Sequence, residues 1–466
     1  FSLNHFSMRI SLSLFVCIWW TFSVYCRSPV VIVPGLLGSG LEARLTNAVL
    51  PEGCTNTTAY EVLYYVPQKA ENSACFAGQL FLFYDAESNT FFNTPGVEIR
   101  PYDFGGVNGV TTAVYTADYV PIPGFEYMGT LIDAFVNDGY EIGKDLAAAP
   151  YDFRQTANPG GTFDSDLRTL IESLYANNNN EPVVLICHSL GNIVTTKFLG
   201  TMSQQWQDQH IKGLFSIAAP WSGASEPVKR MVFGSSVALD RSWGSLVWLF
   251  SNRDVLGDDP IIVSPDRSYN FNEMGEFLED IGADAARQLF VNLDDDLSKL
   301  PELKVPLYCI HGSGIQTELS YEFLNGLDQD PTTIHYDENG DGTVPSASFL
   351  KCDQMNPVFS RTFAGVNHVD LVKDSAVIEQ MLELINPGQV PDSQTPSPNP
   401  SASNAPTASS TPFSFTSSFS SVSSGSSSSP DDDTNNSDDD SDSSRSESSS
   451  VASKLALFSV VAVVLT

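Results

Sequence analysis

Val183 to Cys187 is an unbroken apolar run, Val-Val-Leu-Ile-Cys, that leads straight into His188-Ser189-Leu190-Gly191-Asn192. A strand that is apolar throughout, and not alternating, belongs in a sheet covered on both faces, the setting of a parallel strand in an α/β fold. The stretch from Ile193 to about Leu199 reads as helix, so Ser189 stands on a strand–turn–helix junction. A nucleophile elbow needs that context: the sharp turn lifts a serine hydroxyl clear of the sheet and leaves room only for small residues two before and two after. Gly191 meets the requirement, and Cys187 stands where G-x-S-x-G has its first glycine, a small thiol that can still fit. The competing reading is a serine that merely caps a helix.

A second apolar run, Val30 to Val33, ends in Pro34-Gly35-Leu36-Leu37-Gly38-Ser39-Gly40, the pattern of another buried strand delivering backbone to a site. In this fold a triad follows the order Ser, acid, His. Asp341, between Gly340 and Gly342, is the acid candidate, its carboxylate exposed on a turn; calcium binding by the same acidic loop is the alternative. His368, in Gly365-Val366-Asn367-His368-Val369-Asp370, follows it and precedes a last helix from about Ser375 to Ile385. His311 and His335 precede the acid and fail the order; they read as a strand-end and a loop histidine. Catalytic roles are therefore expected for Ser189 as nucleophile, His368 as base and acid, and Asp341 as orienter. The oxyanion hole is expected from the N–H groups of Leu190 and Leu36. No metal and no organic cofactor is implied.

Charge narrows the partners. With a net charge of −33, the chain is unsuited to nucleic acid or to electrostatic adhesion on anionic lipid, so membrane contact should be mainly apolar. Residues 1–26 are expected to be a removable secretory signal, because Met8-Arg9 precedes an apolar run from Ile10 to Cys26. A membrane anchor is the alternative. Residues 387–453 are nearly all Ser, Thr, Pro, Asn and Asp and should form a disordered stalk, since they offer almost nothing to bury. Residues 454–466, with Leu455 to Thr466 apolar, resemble a glycosylphosphatidylinositol attachment signal whose candidate sites lie around Ser441 to Ser446. The expected location is secreted or cell-surface, with a lysosome-like compartment as a second possibility. Of seven cysteines, Cys17 and Cys26 fall in the signal. Cys187 reads as a buried free thiol, and Cys54, Cys75, Cys309 and Cys352 can pair in three ways, local pairs being simplest. Asn56-Thr57-Thr58 is a glycosylation sequon, and Asn435-Asn436-Ser437 is another in the stalk.

Five ordered blocks carry a family resemblance. They are Val33-Pro34-Gly35 with Leu41-Glu42-Ala43, Ala149-Pro150-Tyr151-Asp152-Phe153-Arg154, His188-Ser189-Leu190-Gly191-Asn192, Ala219-Pro220-Trp221-Ser222-Gly223, and Gly340-Asp341-Gly342-Thr343-Val344. Spread over about Pro29 to Ile385, they resemble the family of lecithin:cholesterol acyltransferase and lysosomal phospholipase A. The resemblance implies an α/β-hydrolase fold over residues 27–386, with a lid and a small disulfide-closed membrane-binding subdomain. It implies the disulfides Cys54–Cys75 and Cys309–Cys352, and a membrane-binding loop at residues 54–75 whose apolar stretch is Val62-Leu63-Tyr64-Tyr65-Val66. That stretch reads equally as a small buried strand. A lid is expected at about 232–265, where Trp243, Leu246, Val247, Trp248, Leu249 and Phe250 cluster; ordinary core is the alternative. Asp152, Arg154 and Trp221 should support the site without doing chemistry. The function implied is a serine-dependent phospholipase A and O-acyltransferase, passing an acyl chain from phospholipid to water or an acceptor alcohol at a lipid membrane surface. A dedicated phospholipid:sterol or phospholipid:diacylglycerol acyltransferase is the second reading, and a catalytically silent lipid-binding surface protein is the third.

Overall fold

The apolar runs pair into one sheet. In the computed structural model, which describes residues 27–51, 54–70, 73–155, 162–233, 237–299 and 302–387, the central strands are β1 (Val30–Val33), β2 (Leu146–Ala148), β3 (Val183–His188), β4 (Ile211–Ile217), β5 (Leu307–Ser313) and β6 (Phe359–Ala364). Their order is β6-β5-β4-β3-β1-β2, and every neighbouring pair is parallel. Side chains alternate between two cores. Val31, Val33, Val183, Leu185 and Cys187 enter one, and Val30, Ile32, Val184 and Ile186 enter the other. Both faces are thus covered, which is why these strands carry no polar alternation. The architecture is that of an α/β-hydrolase, and the signal, stalk and tail expected at the two ends lie outside the described residues.

Two long insertions interrupt the sheet, one between β1 and β2 and a second between β4 and β5. Between β1 and β2 the chain builds a three-stranded antiparallel sheet from Leu41–Leu45, Glu61–Tyr64 and Val97–Pro101, and a hairpin of Leu82–Asp85 with Thr90–Asn93. Cys54–Cys75 closes this region, and Cys309–Cys352 ties β5 to the turn before β6. Val62-Leu63-Tyr64-Tyr65-Val66 lies on and just beyond the strand Glu61–Tyr64, and none of the five is more than 3% exposed. Of the two readings of this stretch, the buried strand is the one that fits: pairing with Leu41–Leu45 turns Leu63, Tyr64 and Tyr65 into the main core, so these residues themselves are not on the surface. The cluster from Trp243 to Phe250 is likewise buried, with Trp243, Leu246, Val247, Trp248, Leu249 and Phe250 all in that core. Among the described residues no helix is long and apolar enough to cross a membrane.

One buried cation joins the insertions to the body. Arg154 is fully buried, and its guanidinium donates to both oxygens of Asp152, to the Leu80 carbonyl and to Asn93 Oδ1. Its own carbonyl accepts the Ser245 N–H at 3.4 Å. This is the supporting role expected of Asp152 and Arg154: the pair staples the hairpin and the second insertion onto the loop after β2. Removing the cation leaves a carboxylate without its partner inside the protein. Arg154→Met should therefore lower unfolding free energy in urea by about 3–5 kcal/mol. Arg44→Met, which removes only exposed contacts, the pair with Glu98 and the stacking over Tyr60, should change it little.

Candidate active site

Strand order reverses between β1 and β3, so the loops leaving their C-terminal ends diverge and open a crevice. The register sets Val33 beside Cys187, which brings Pro34-Gly35-Leu36 level with the turn after β3. Ser189 occupies that turn with φ 52° and ψ −128°, a conformation that a side chain rarely adopts and that its surroundings must impose. The Ser189 N–H donates to the Ile217 carbonyl at 2.9 Å. The fully buried Asn192 sets its amide nitrogen 3.0–3.1 Å from the carbonyls of Cys187, Ser189 and Ile217. Gly191 is demanded by packing, since a Cβ there would lie 2.4 Å from the Pro34 carbonyl oxygen. Cys187 is tolerated because its thiol turns into the core and donates to Thr195 Oγ1 at 3.2 Å. Burial pushes that thiol up to about 12, so it stays an inert core group.

Asp341 and His368 meet as their order requires. His368 Nδ1 lies 2.8 Å from Asp341 Oδ2, and the His368 N–H donates to the Asp341 carbonyl at 2.8 Å. The other carboxylate oxygen accepts the N–H groups of Thr343 and Val344, at 3.0 and 2.7 Å, so the fully buried acid has its hydrogen bonds met by backbone as well as by imidazole. Ser189 and His368 line one cavity with Leu36 and the strand-end loops. Among the described residues the Ser189 hydroxyl has no hydrogen-bond partner, and the N–H groups of Leu36 and Leu190 bond no acceptor. His311 lies buried on β5, stacked on Phe349, and His335 bonds Glu322 from the strand Thr333–Gly340, so it is a strand residue where a loop was expected. Among the described residues the one grouping with metal-ligand proximity is Cys309, His311 and Cys352, and both its sulfurs are joined in the disulfide.

Two side chains that the sequence reading did not single out join the three loops. The Gly35 N–H donates to the Tyr127 hydroxyl at 2.8 Å, Tyr127 stands 2.6 Å from His188 Nδ1, and His188 Nε2 stands 2.9 Å from the His368 carbonyl. A carbonyl can only accept, so Nε2 carries the proton and bare Nδ1 takes the Tyr127 O–H. These hydrogen bonds run from Gly35 to Tyr127 to His188 to His368, linking the loop after β1, the elbow and the histidine loop. Burial, with His368 nearby, holds His188 well below its usual range and keeps it neutral. A histidine immediately before the nucleophile was the available signal for this role. Tyr127, 61 residues upstream, had none.

The family model described as lecithin:cholesterol acyltransferase matches residues 65–240. Phosphatidylcholine-sterol acyltransferase of Homo sapiens is 30% identical over 401 residues, covering 80% of this chain and 88% of its own length. Lysosomal phospholipase A and acyltransferase of Bos taurus is 28% identical, covering 78% of this chain and 93% of its own. Lecithin-cholesterol acyltransferase-like 1 of Arabidopsis thaliana is 28% identical, with 82% and 96% covered. Among solved structures, the Tle4–Tli4 complex aligns with a TM-score of 0.50 at 14% identity, covering 77% of this chain and 98% of that one, a likeness of fold alone.

Tyr127→Phe leaves His188 Nδ1 buried and unpaired, and should cost about 1–3 kcal/mol in chemical denaturation. A histidine whose folded pKa is depressed contributes stability above its unfolded pKa of about 6.5 that is lost as pH falls. His188 and His311 are both held low by burial. Unfolding free energy should therefore decline below about pH 6.5, by at most about 1.4 kcal/mol per pH unit for each histidine. In His188→Gln that slope should be shallower.

Proposed function

Because the chain belongs to the lecithin:cholesterol acyltransferase family, we propose that it is a serine-dependent lipid acyl hydrolase and O-acyltransferase. The observation that carries the reading is a serine on a strained elbow sharing one cavity with a histidine whose far nitrogen is held by a buried carboxylate. His368 takes the Ser189 proton as Oγ attacks the ester carbonyl. The oxyanion is met by the N–H groups of Leu36 and Leu190, and His368 returns the proton to the leaving lysolipid. Water or an alcohol then takes the acyl group from Ser189 by the same steps in reverse. Asp341 keeps His368 in the tautomer that can accept, and stabilises its charged form.

Phospholipid is the acyl donor on this reading. The human relative's name gives phosphatidylcholine and sterol, and the bovine relative's name gives both phospholipase and acyltransferase. The cavity beside Ser189 measures about 80 Å³, against roughly 300–1,000 Å³ for a site enclosing a drug-sized ligand. On this reading the wall opens further as a lipid enters. Leu249, from the segment 232–265 read as the lid, forms part of that wall. Two disulfides support work in an oxidising compartment, and the exposed Asn56 suits glycosylation there.

Ser189→Ala should abolish turnover of labelled phosphatidylcholine, and Asp341→Asn should lower kcat by about 10⁴-fold; undiminished turnover in the serine variant would overturn the reading. With an alcohol added, labelled acyl chain in a new ester marks the transferase. Free fatty acid alone, whatever alcohol is offered, restricts the enzyme to hydrolysis.

A further inference from the structure

His311 is buried yet unengaged. It is 1% exposed, and neither ring nitrogen has a hydrogen-bond partner among the described residues. Its ring stacks on Phe349, with centroids 5.1 Å apart. The Asp353 carboxylate stands 3.7 Å from Nε2, too far for a hydrogen bond, and already accepts the Ser360 hydroxyl. A neutral imidazole has one bare nitrogen, so a lone pair is left unused inside the protein. Interiors leave few such groups unmet, and one physical reason for keeping one is an ion that the group can take. Two sulfurs lie beside it. Cys309 and His311 are two residues apart on β5, so their side chains leave the same face. Cys352, in the turn before β6, meets Cys309 in the disulfide. Both sulfurs and a ring nitrogen lie within 4.8 Å of one another, and all three residues are buried. Two thiolates and an imidazole are a ligand set of the zinc type with a fourth position open. Asp353, beside Nε2, connects the group to solvent, its side chain being 42% exposed.

We propose that Cys309, Cys352 and His311 bind a thiophilic divalent ion of the zinc class whenever the two cysteines are in the dithiol state. That state exists in the newly made chain before the bridge closes, and it returns when an external dithiol exchanges with the disulfide. In that exchange the external dithiol is oxidised to its own disulfide, and Cys309 and Cys352 are reduced to thiols. The ion then displaces one proton from each thiol and takes the bare imidazole nitrogen as it stands. Bound there, it ties β5 to the turn before β6, the same two segments that the disulfide joins. A Cβ on Gly312, next to His311, would lie 3.3 Å from the Asp341 Cβ, so this stretch of β5 also backs the Asp341 loop. The site holds whether or not Ser189 turns over lipid.

The test uses the full chain, reduced with a phosphine under argon and titrated with cobalt(II), with circular dichroism to follow folding. One ion per chain should bind and give a thiolate-to-cobalt charge-transfer band that added zinc removes by displacement. The disulfide form should show no band. Cys309→Ser and Cys352→Ser should each abolish it, and Cys54→Ser combined with Cys75→Ser should keep it. His311→Phe retains both thiols and should weaken cobalt binding at least tenfold, since losing even a group that only orients a ligand costs about 10–100-fold. In a second measurement, zinc should slow alkylation of reduced Cys309 and Cys352 several-fold and leave Cys54 and Cys75 unprotected. A reduced wild type without the band overturns the proposal, folded or not. Unchanged cobalt affinity in His311→Phe removes the histidine from the site and overturns it as well. So does alkylation of all four cysteines at the same rate with and without zinc.

Discussion

Everything at the site depends on how closely the loop after β1 can approach the turn after β3. A Cβ on Gly35 would stand 2.8 Å from the Ser189 Cβ, and one on Gly191 would stand 2.4 Å from the Pro34 carbonyl oxygen. Real side chains do not tolerate such distances, so two glycines let the backbones interlock. The interlock does two things at once. It sets Leu36 on the cavity that Ser189 faces, and it helps hold the serine in a backbone conformation it would not choose. Because β1 and β3 are the strands at which sheet order reverses, the close approach also sits at the mouth of the crevice.

The third loop is tied in by hydrogen bonds as well as by the apolar packing of Val369, Leu371 and Val372. Gly35, Tyr127, His188 and His368 form a single run of buried donors and acceptors, and each link has only one polarity available. A neutral His188 is the condition for that polarity. Protonated, it would present a second N–H toward a hydroxyl that is itself oriented to donate. Burial keeps it neutral, so the same low-dielectric surroundings that make the network costly to break also make it self-consistent. Arg154 plays a comparable part further out, where a fully buried guanidinium satisfies a carboxylate and two carbonyl-type oxygens from different segments.

Legibility in the sequence followed range. The apolar runs at Val30–Val33 and Val183–Cys187, the elbow around Ser189, and the order of Asp341 and His368 were readable because strand patterning, turn chemistry and chain order are local or one-dimensional. Val62 to Val66 and Trp243 to Phe250 were readable only as apolar. Whether five or six apolar residues face lipid, cover a cavity or enter a core depends on what lies opposite; here the main core lies opposite both, and Leu249 of the second run also reaches the cavity. Asn192 was quoted within a motif without a role, because an amide that reaches three carbonyls is visible only when those carbonyls converge.

The sequence by itself determined the doubly covered parallel sheet, the nucleophile candidate and the triad order, since each rests on residue type at fixed spacing. Tertiary structure alone decided that Tyr127 and His188 bridge three loops and that Val62–Val66 is core. The physical reason is the same in each case. Hydrogen-bond polarity, burial and charge compensation belong to pairs and clusters of residues far apart in the chain, and only the fold decides which of them meet.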